Sequence, residues 1–129
     1  MIDWIKSFLK RGLGRSKRTE HRIIFVGTDY LCHKLASSLQ QRGEAVVAFI
    51  DDEPWNHRTL MLGQPIYYPS ELKALIEKHK VNTIVAFAEC PLRVDPEIVD
   101  AFEMKGLRSF IFDTDRLDIE AQISLIVNA

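Results

Sequence analysis

The chain has 129 residues, of which 47% are hydrophobic and 27% are charged. This length supports one folded domain, and the five Pro and six Gly exclude collagen-like and low-complexity chains. The formal net charge of -1 argues against a dedicated nucleic-acid-binding protein. Cys32 and Cys90 are too few for a disulfide scaffold, and neither they nor the four His have zinc-ligand spacing.

The first 21 residues are predicted to form a basic arm. Residues 1–22 carry seven Lys or Arg against two acidic residues, a net of +5, so the rest of the chain carries -6. Apolar residues at helical spacing predict a short amphipathic helix, followed by a basic linker. No apolar run has the roughly 18 residues of a membrane span, and the arm lacks the order of a signal peptide. Three interpretations stay open: contact with an anionic membrane surface, packing on this or a partner chain, and disorder.

From residue 22 onwards, apolar runs alternate with segments of helical periodicity. Strands are predicted at 23–26, 45–50, 65–68, 83–88 and 109–112, of which 65–68 is a short edge strand, with a polar loop over 55–64. Helices are predicted after the first, third and fourth of these strands. The last of them starts at Asp95-Pro96 and turns Ile98, Val99, Phe102 and Met104 inward. The tail is predicted to be a helix, an added strand or a packing arm.

This alternation predicts an α/β fold. We expect a Rossmann-like three-layer sandwich, with a mostly parallel sheet of about five strands in the order 3-2-1-4-5 and right-handed crossovers. The predicted organisation is an N-terminal arm and linker (1–21), a Rossmann-like nucleotide-binding domain (22–112) and a C-terminal packing tail (113–129).

Ligands of such sheets bind beyond the carboxyl ends of the strands, which here selects Gly27–Tyr30 as the first candidate turn. A dinucleotide turn has Gly-x-Gly-x-x-Gly, and this one keeps Gly27 but has Asp29 and Cys32 at the other two positions. Two interpretations stay open. In the first, Asp29 is the N-cap of the following helix and its carboxylate occupies the anion site itself. In the second, the turn still binds phosphate.

The second candidate is the acidic pair Asp51 and Asp52, which ends the second predicted strand. An acidic residue there suits a hydrogen bond to a ribose or base, and favours a ribose without a 2′-phosphate. The alternative is a solvated turn before Pro54. Weaker candidates, each more typical of an ordinary surface or loop residue, are His33, Trp55, Arg58 and the thiol of Cys90.

Three short stretches carry a resemblance to known families: Phe49–Asp52, Gly63–Tyr67 and Ala88–Pro91. With them, residues 22–112 resemble the Rossmann-type, CoA-binding-like N-terminal domain of bacterial nucleoside-diphosphate-sugar epimerase/dehydratases of polysaccharide biosynthesis. They are also similar to the N-terminal domain of bacterial sugar acyltransferases. The resemblance implies that Gly27 starts a phosphate turn that includes Thr28, Asp29 and Tyr30. It further implies that Asp51 and Asp52 face the ribose or base, and that Ala86, Phe87 and Ala88 line the nucleotide cleft.

The chain lacks the catalytic domains of both families, so we expect no catalytic residues. The function expected is a stand-alone nucleotide-binding module for NAD(P) or a nucleotide sugar, acting as a sensor or accessory subunit in surface-polysaccharide metabolism. The alternative is a degenerate Rossmann-fold scaffold without a small-molecule ligand, placed at the membrane surface; an enzyme acting on a partner's substrate ranks lowest. We also expect a cytoplasmic homodimer, with peripheral contact to the inner membrane face through residues 1–20 and no nucleic-acid partner.

Overall fold

The computed structural model describes residues 21–90, 92, 94–113 and 118–128. Its strands are β1 (Arg22–Val26), β2 (Ala45–Ile50), β3 (Leu60–Met61), β4 (Gln64–Tyr67), β5 (Thr83–Phe87) and β6 (Arg108–Phe112). They form one sheet in the order β3-β4-β2-β1-β5-β6. The pairs from β4 to β6 are all parallel, so the predicted fold class and the 3-2-1-4-5 order of the five predicted strands are confirmed.

The sixth strand, β3, was not predicted. It pairs antiparallel with β4, so that Leu60 lies opposite Pro65 and Met61 opposite Gln64. The two residues between the strands, Leu62 and Gly63, have φ of 54° and 79°. Two consecutive positive φ values are typical of a tight hairpin turn, which usually carries Asn or Gly at its first position. Because Leu62 is not one of these turn residues, the sequence predicts a loop here instead of a hairpin.

Within the described residues, four α-helices cover the sheet: α1 (Tyr30–Gln41), α2 (Leu72–His79), α3 (Pro96–Glu103) and α4 (Ile119–Asn128). Short 3₁₀ turns lie at Pro54–Asn56 and Pro69–Glu71. Side chains of β1 alternate between two cores, because successive strand residues point to opposite faces. Ile23 and Phe25 pack with α1 and α4, whereas Ile24 and Val26 pack with α2 and α3.

The C-terminal tail forms α4, the helix among the three predicted alternatives. Its Ile123 and Ile126 are buried in the same core as α1. An exposed ion pair between Arg42 and Glu120, 2.9 Å apart, joins the end of α1 to the start of α4. The two helices therefore pack beside each other on one face of the sheet. No helix among the described residues is long and apolar enough to span a membrane.

Helix α3 covers its face of the sheet loosely. Ile98, Val99 and Phe102 pack against the core as predicted, but none of its residues is fully buried. The inward orientation predicted for Met104 is wrong: its side chain is 88% exposed, because the helix ends at Glu103. Loose packing leaves space between α3 and the sheet.

Residues 1–20 of the predicted arm (1–21), and residues 114–117 and 129 of the tail, lie outside the described residues. The domain boundaries and the three interpretations of the arm therefore stay predictions.

Candidate nucleotide-binding cleft

The carboxyl ends of β1, β2 and β5 meet at one edge of the sheet and border a cleft of about 350 Å³. We call it the acidic cleft. It is lined by the Gly27–Asp29 turn, by Asp51, Asp52 and Glu53, and by Cys90 and Leu92. Parallel strands bring these segments together because their carboxyl ends share an edge. The two sequence-predicted turns thus lie on one site, as expected for this fold.

Gly27 turns the chain from β1 towards α1. Its φ is +126°, a conformation that L side chains rarely adopt, and its amide donates to the Ile50 carbonyl at 2.8 Å. A Cβ built there would lie 3.1 Å from Cys32 Sγ and 3.3 Å from Cys90 Sγ. The turn therefore favours glycine, and a side chain there would also have to displace the two sulfurs by a few tenths of an ångström.

Asp29 is the N-cap of α1. Its Oδ1 accepts a hydrogen bond from the Cys32 amide at 3.1 Å, and its carbonyl accepts from His33 N at 3.0 Å. The carboxylate is nevertheless exposed and lines the cleft. Within the described part of the chain, the amides of Tyr30 and Leu31 meet no acceptor. Asp29 therefore caps one backbone N–H group in the first turn of α1 and leaves those of Tyr30 and Leu31 uncapped.

Asp51 holds neighbouring segments in place. Its Oδ2 accepts from Asn56 Nδ2 at 2.7 Å and from Thr28 Oγ1 at 3.3 Å, and its Oδ1 accepts from the Asp52 amide at 2.9 Å. Most of its acceptor capacity is used within the chain. Asp52 is exposed at the same edge, so its carboxylate is the better placed of the pair to accept from a ligand hydroxyl. Asn56 is a site residue that sequence reasoning missed, since only the folded loop brings it to Asp51.

The charge of the cleft is strongly negative. Four carboxylates line it, and the described residues that line it include no Lys or Arg. A phosphate placed there would be repelled, whereas hydroxyl and amine donors would be accepted. Arg58, a candidate for phosphate contact, instead lies over the Tyr67 ring at 5.5 Å.

A second cavity of about 520 Å³ opens beside the cleft, in the space between α3 and the sheet. This apolar cavity is lined by Val26, Ala86, Ala88, Val94, Val99 and Ile111, among other side chains. Cys90 and Leu92 border both the cavity and the acidic cleft. Its volume lies within the range of about 300–1,000 Å³ that is typical of ligand pockets.

The remaining predicted site residues fall into two groups. Ala86, Phe87 and Ala88 all line the apolar cavity. The Phe87 side chain is also buried in the core, with its ring centroid 6.1 Å from that of Phe112. Tyr30 and Trp55 are 71% and 73% exposed near the carboxyl edge of the sheet. His33 is exposed on α1 and lines neither the acidic cleft nor the apolar cavity.

No protein-family model and no curated protein matches the sequence. Among solved structures, a UDP-D-quinovosamine 4-dehydrogenase from Vibrio fischeri is similar with a TM-score of 0.62 and 28% identity. The match covers 78% of this chain and 89% of that chain. RSP, a Rex-family repressor, is similar in its complex with β-NADH, with a TM-score of 0.57 and 15% identity over 91% of this chain and 55% of that chain.

The complex of RSP with β-NAD⁺ and operator DNA is also similar, with a TM-score of 0.56 and 10% identity over 97% of this chain and 62% of that chain. This finding contradicts the expected absence of a nucleic-acid partner, because the same fold occurs in a DNA-bound repressor. The expectation relied on the net charge of the whole chain, but partners respond to local charge, which is +5 over residues 1–22. The chain has a Rossmann-like α/β fold, and its specific family stays a prediction.

Proposed function

We propose that this chain is a non-catalytic module that binds a nucleotide-type ligand, NAD(P) or a nucleotide sugar, at the carboxyl edge of its sheet. The observation that carries the proposal is the position of the acidic cleft, at the Gly27 turn and next to the apolar cavity. This is where Rossmann-like folds bind dinucleotides. The similar structures, one named for a UDP-sugar and one bound to NADH, support the same ligand class.

The charges suggest how such a ligand lies. Ribose hydroxyls donate to the exposed carboxylate of Asp52, and an apolar part of the ligand enters the cavity lined by Ala86 and Ala88. Phosphates lie towards the uncapped amides of Tyr30 and Leu31, which attract anions. The Asp29 carboxylate lies at the same helix terminus and weakens binding there.

A second candidate, a scaffold without a small-molecule ligand, is favoured by one observation. Asp29 caps α1 and adds to a cleft that already contains three other carboxylates. If that charge excludes phosphates altogether, the fold serves only to present surfaces to partners. The wider roles remain proposals of the same kind: a sensor or accessory subunit in surface-polysaccharide metabolism, located in the cytoplasm.

The two candidates are separated by ligand-induced stabilisation. NAD⁺, NADH, NADP⁺, a UDP-sugar and coenzyme A are each added at millimolar concentration, and melting temperature and heat of binding are measured. A ligand present at about 100 times its Kd stabilises the fold by about 2.7 kcal/mol, which is readily measured. Stabilisation by one of these ligands supports the module, and stabilisation by none supports the scaffold.

A matched pair of variants tests the location. Ala88→Trp places an indole in the apolar cavity and is expected to abolish binding. Ala74→Trp makes the same change at an exposed position of α2 that lines neither cavity, and should bind as the natural chain does. Unchanged affinity of Ala88→Trp would place the ligand elsewhere.

The absence of catalysis is tested separately. Incubation with NAD⁺ and a UDP-sugar should yield no NADH absorbance, and the appearance of that absorbance would contradict the non-catalytic assignment.

A further inference from the structure

The two cysteines of the chain, 58 positions apart, meet at one point beneath the Gly27 turn. Both sulfurs lie within 3.3 Å of the position that a Cβ would take at Gly27. Neither cysteine is in a disulfide, and the two thiols are close enough to interact electrostatically. The missing side chain of Gly27 therefore leaves a space into which both sulfurs point.

The two thiols have different surroundings. Cys32 is fully buried, and its thiol lies 3.8 Å from the Val26 carbonyl. Burial and the neighbouring Asp29 carboxylate raise the pKa of the Cys32 thiol far above its usual value. Cys90 is only half-buried and borders both the acidic cleft and the apolar cavity. A small solute in the cleft thus reaches Cys90 first, with Cys32 behind it.

We propose that Cys32 and Cys90 form a dithiol that a peroxide oxidises to an intramolecular disulfide across Gly27. This makes the floor of the acidic cleft a reversible modification site. The peroxide reaches and oxidises the Cys90 thiol first, and Cys32 is the resolving thiol that then forms the disulfide.

The chemistry consumes one peroxide for each disulfide. The Cys90 thiolate attacks a peroxide oxygen, the O–O bond breaks, and hydroxide leaves with the proton lost from the thiol, giving water and a sulfenic acid. The Cys32 sulfur then attacks the Cys90 sulfur, and the S–O bond breaks. The departing hydroxyl takes the Cys32 proton and leaves as a second water. Two sulfurs are oxidised, and the two peroxide oxygens are reduced.

Closing this bond requires only a local movement. A disulfide brings its two sulfurs to about 2.05 Å. Both sulfurs lie within 3.3 Å of one shared position, so they need to approach each other by a few ångströms at most. The turn at Gly27 can admit the bond because no Cβ separates the sulfurs. Cys32 is fixed in the core by α1, so Cys90 makes the movement and shifts the border between the two cavities.

The test uses the full chain, treated with hydrogen peroxide and then denatured for thiol titration and mass measurement. We expect loss of both thiols together, a mass decrease of about 2 Da and full recovery with dithiothreitol. Cys32→Ser should accumulate a sulfenic acid at Cys90 that a dimedone-type reagent traps. Cys90→Ser should leave Cys32 unoxidised under the same conditions. Independent oxidation of the two cysteines, or a disulfide only between chains, would overturn the proposal.

A second measurement concerns the ligand, and this part rests on the proposed function. A nucleotide bound in the cleft should cover Cys90 and slow disulfide formation several-fold, whereas Ala88→Trp should remove this protection. Disulfide formation without protection by any nucleotide would count against the ligand and leave the dithiol standing. Failure of the disulfide itself would count against the dithiol alone.

Discussion

Asp29 has two roles that substitution can separate, the cap of α1 and a negative charge in the acidic cleft. Asp29→Asn keeps a side-chain oxygen for the Cys32 amide but removes the charge. Asp29→Ala removes both. Asp118 offers a matched control, because its Oδ1 accepts from the Ala121 amide, also three residues ahead, at 2.9 Å. Asp118 lines neither the acidic cleft nor the apolar cavity, so Asp118→Asn removes a charge without changing the binding site.

The expected magnitudes follow from the geometry. Asn and Asp are equivalent N-caps, so Asp29→Asn should change the free energy of unfolding by less than about 0.5 kcal/mol, whereas Asp29→Ala should cost about 1 kcal/mol. That loss corresponds to a decrease of about 3–5 °C in melting temperature for a chain of this size. A unit charge about 5 Å from a ligand phosphate in a solvated cleft contributes about 1 kcal/mol of repulsion. Its removal should therefore tighten binding about fivefold.

Calorimetric titration of the natural chain and the three variants with the stabilising ligand, at low and moderate salt, checks these values. The gain in Asp29→Asn should shrink as salt rises, because mobile ions screen exposed charges. Asp118→Asn should bind as the natural chain does. An unchanged or weaker affinity of Asp29→Asn would show that no phosphate lies at this helix terminus. Unchanged stability of Asp29→Ala would refute the cap.

Three further predictions concern pH, thiol reactivity and the core. Partial burial opposes ionisation of Glu71, but hydrogen bonds from a backbone amide and from His57 outweigh it and lower the pKa of the carboxyl below 4.5. The ionised Glu71 carboxylate therefore stabilises the fold fully above pH 4.5, and this stabilisation is lost as pH falls through the lowered pKa. In urea unfolding, the loss of stability caused by Glu71→Gln should shrink on acidification. A loss that stays constant with pH would contradict this. Iodoacetamide at neutral pH should modify Cys90 in the native chain before Cys32, whose raised pKa and burial suppress the thiolate, and peptide mass mapping that shows equal rates would refute the assignment. Phe49→Ala, at a fully buried position of the central sheet, should lower the free energy of unfolding by about 3–5 kcal/mol, and a loss below 1 kcal/mol in denaturant titration would refute its place in the core.

The acidic cleft shows how far local signals reach. The sequence placed Gly27 and Asp51 at the ends of two neighbouring strands, because apolar runs and their terminating residues are local patterns. It also offered Asp29 as a helix cap, since capping depends on residues three positions apart. It could not show that Thr28 and Asn56 both bond to Asp51, because that depends on how the following loop folds back.

The sequence by itself determined the alternation of strands and helices, and with it the parallel sheet and the edge at which a ligand would bind. Only the tertiary structure decided that the tail is a helix, that Leu60–Met61 adds a strand, and that Cys32 and Cys90 meet under Gly27. The physical reason is range. Hydrophobic periodicity and helix caps depend on residues a few positions apart, so they can be recognised in the sequence. Cavities and neighbouring sulfurs arise from contacts between segments that are far apart in sequence.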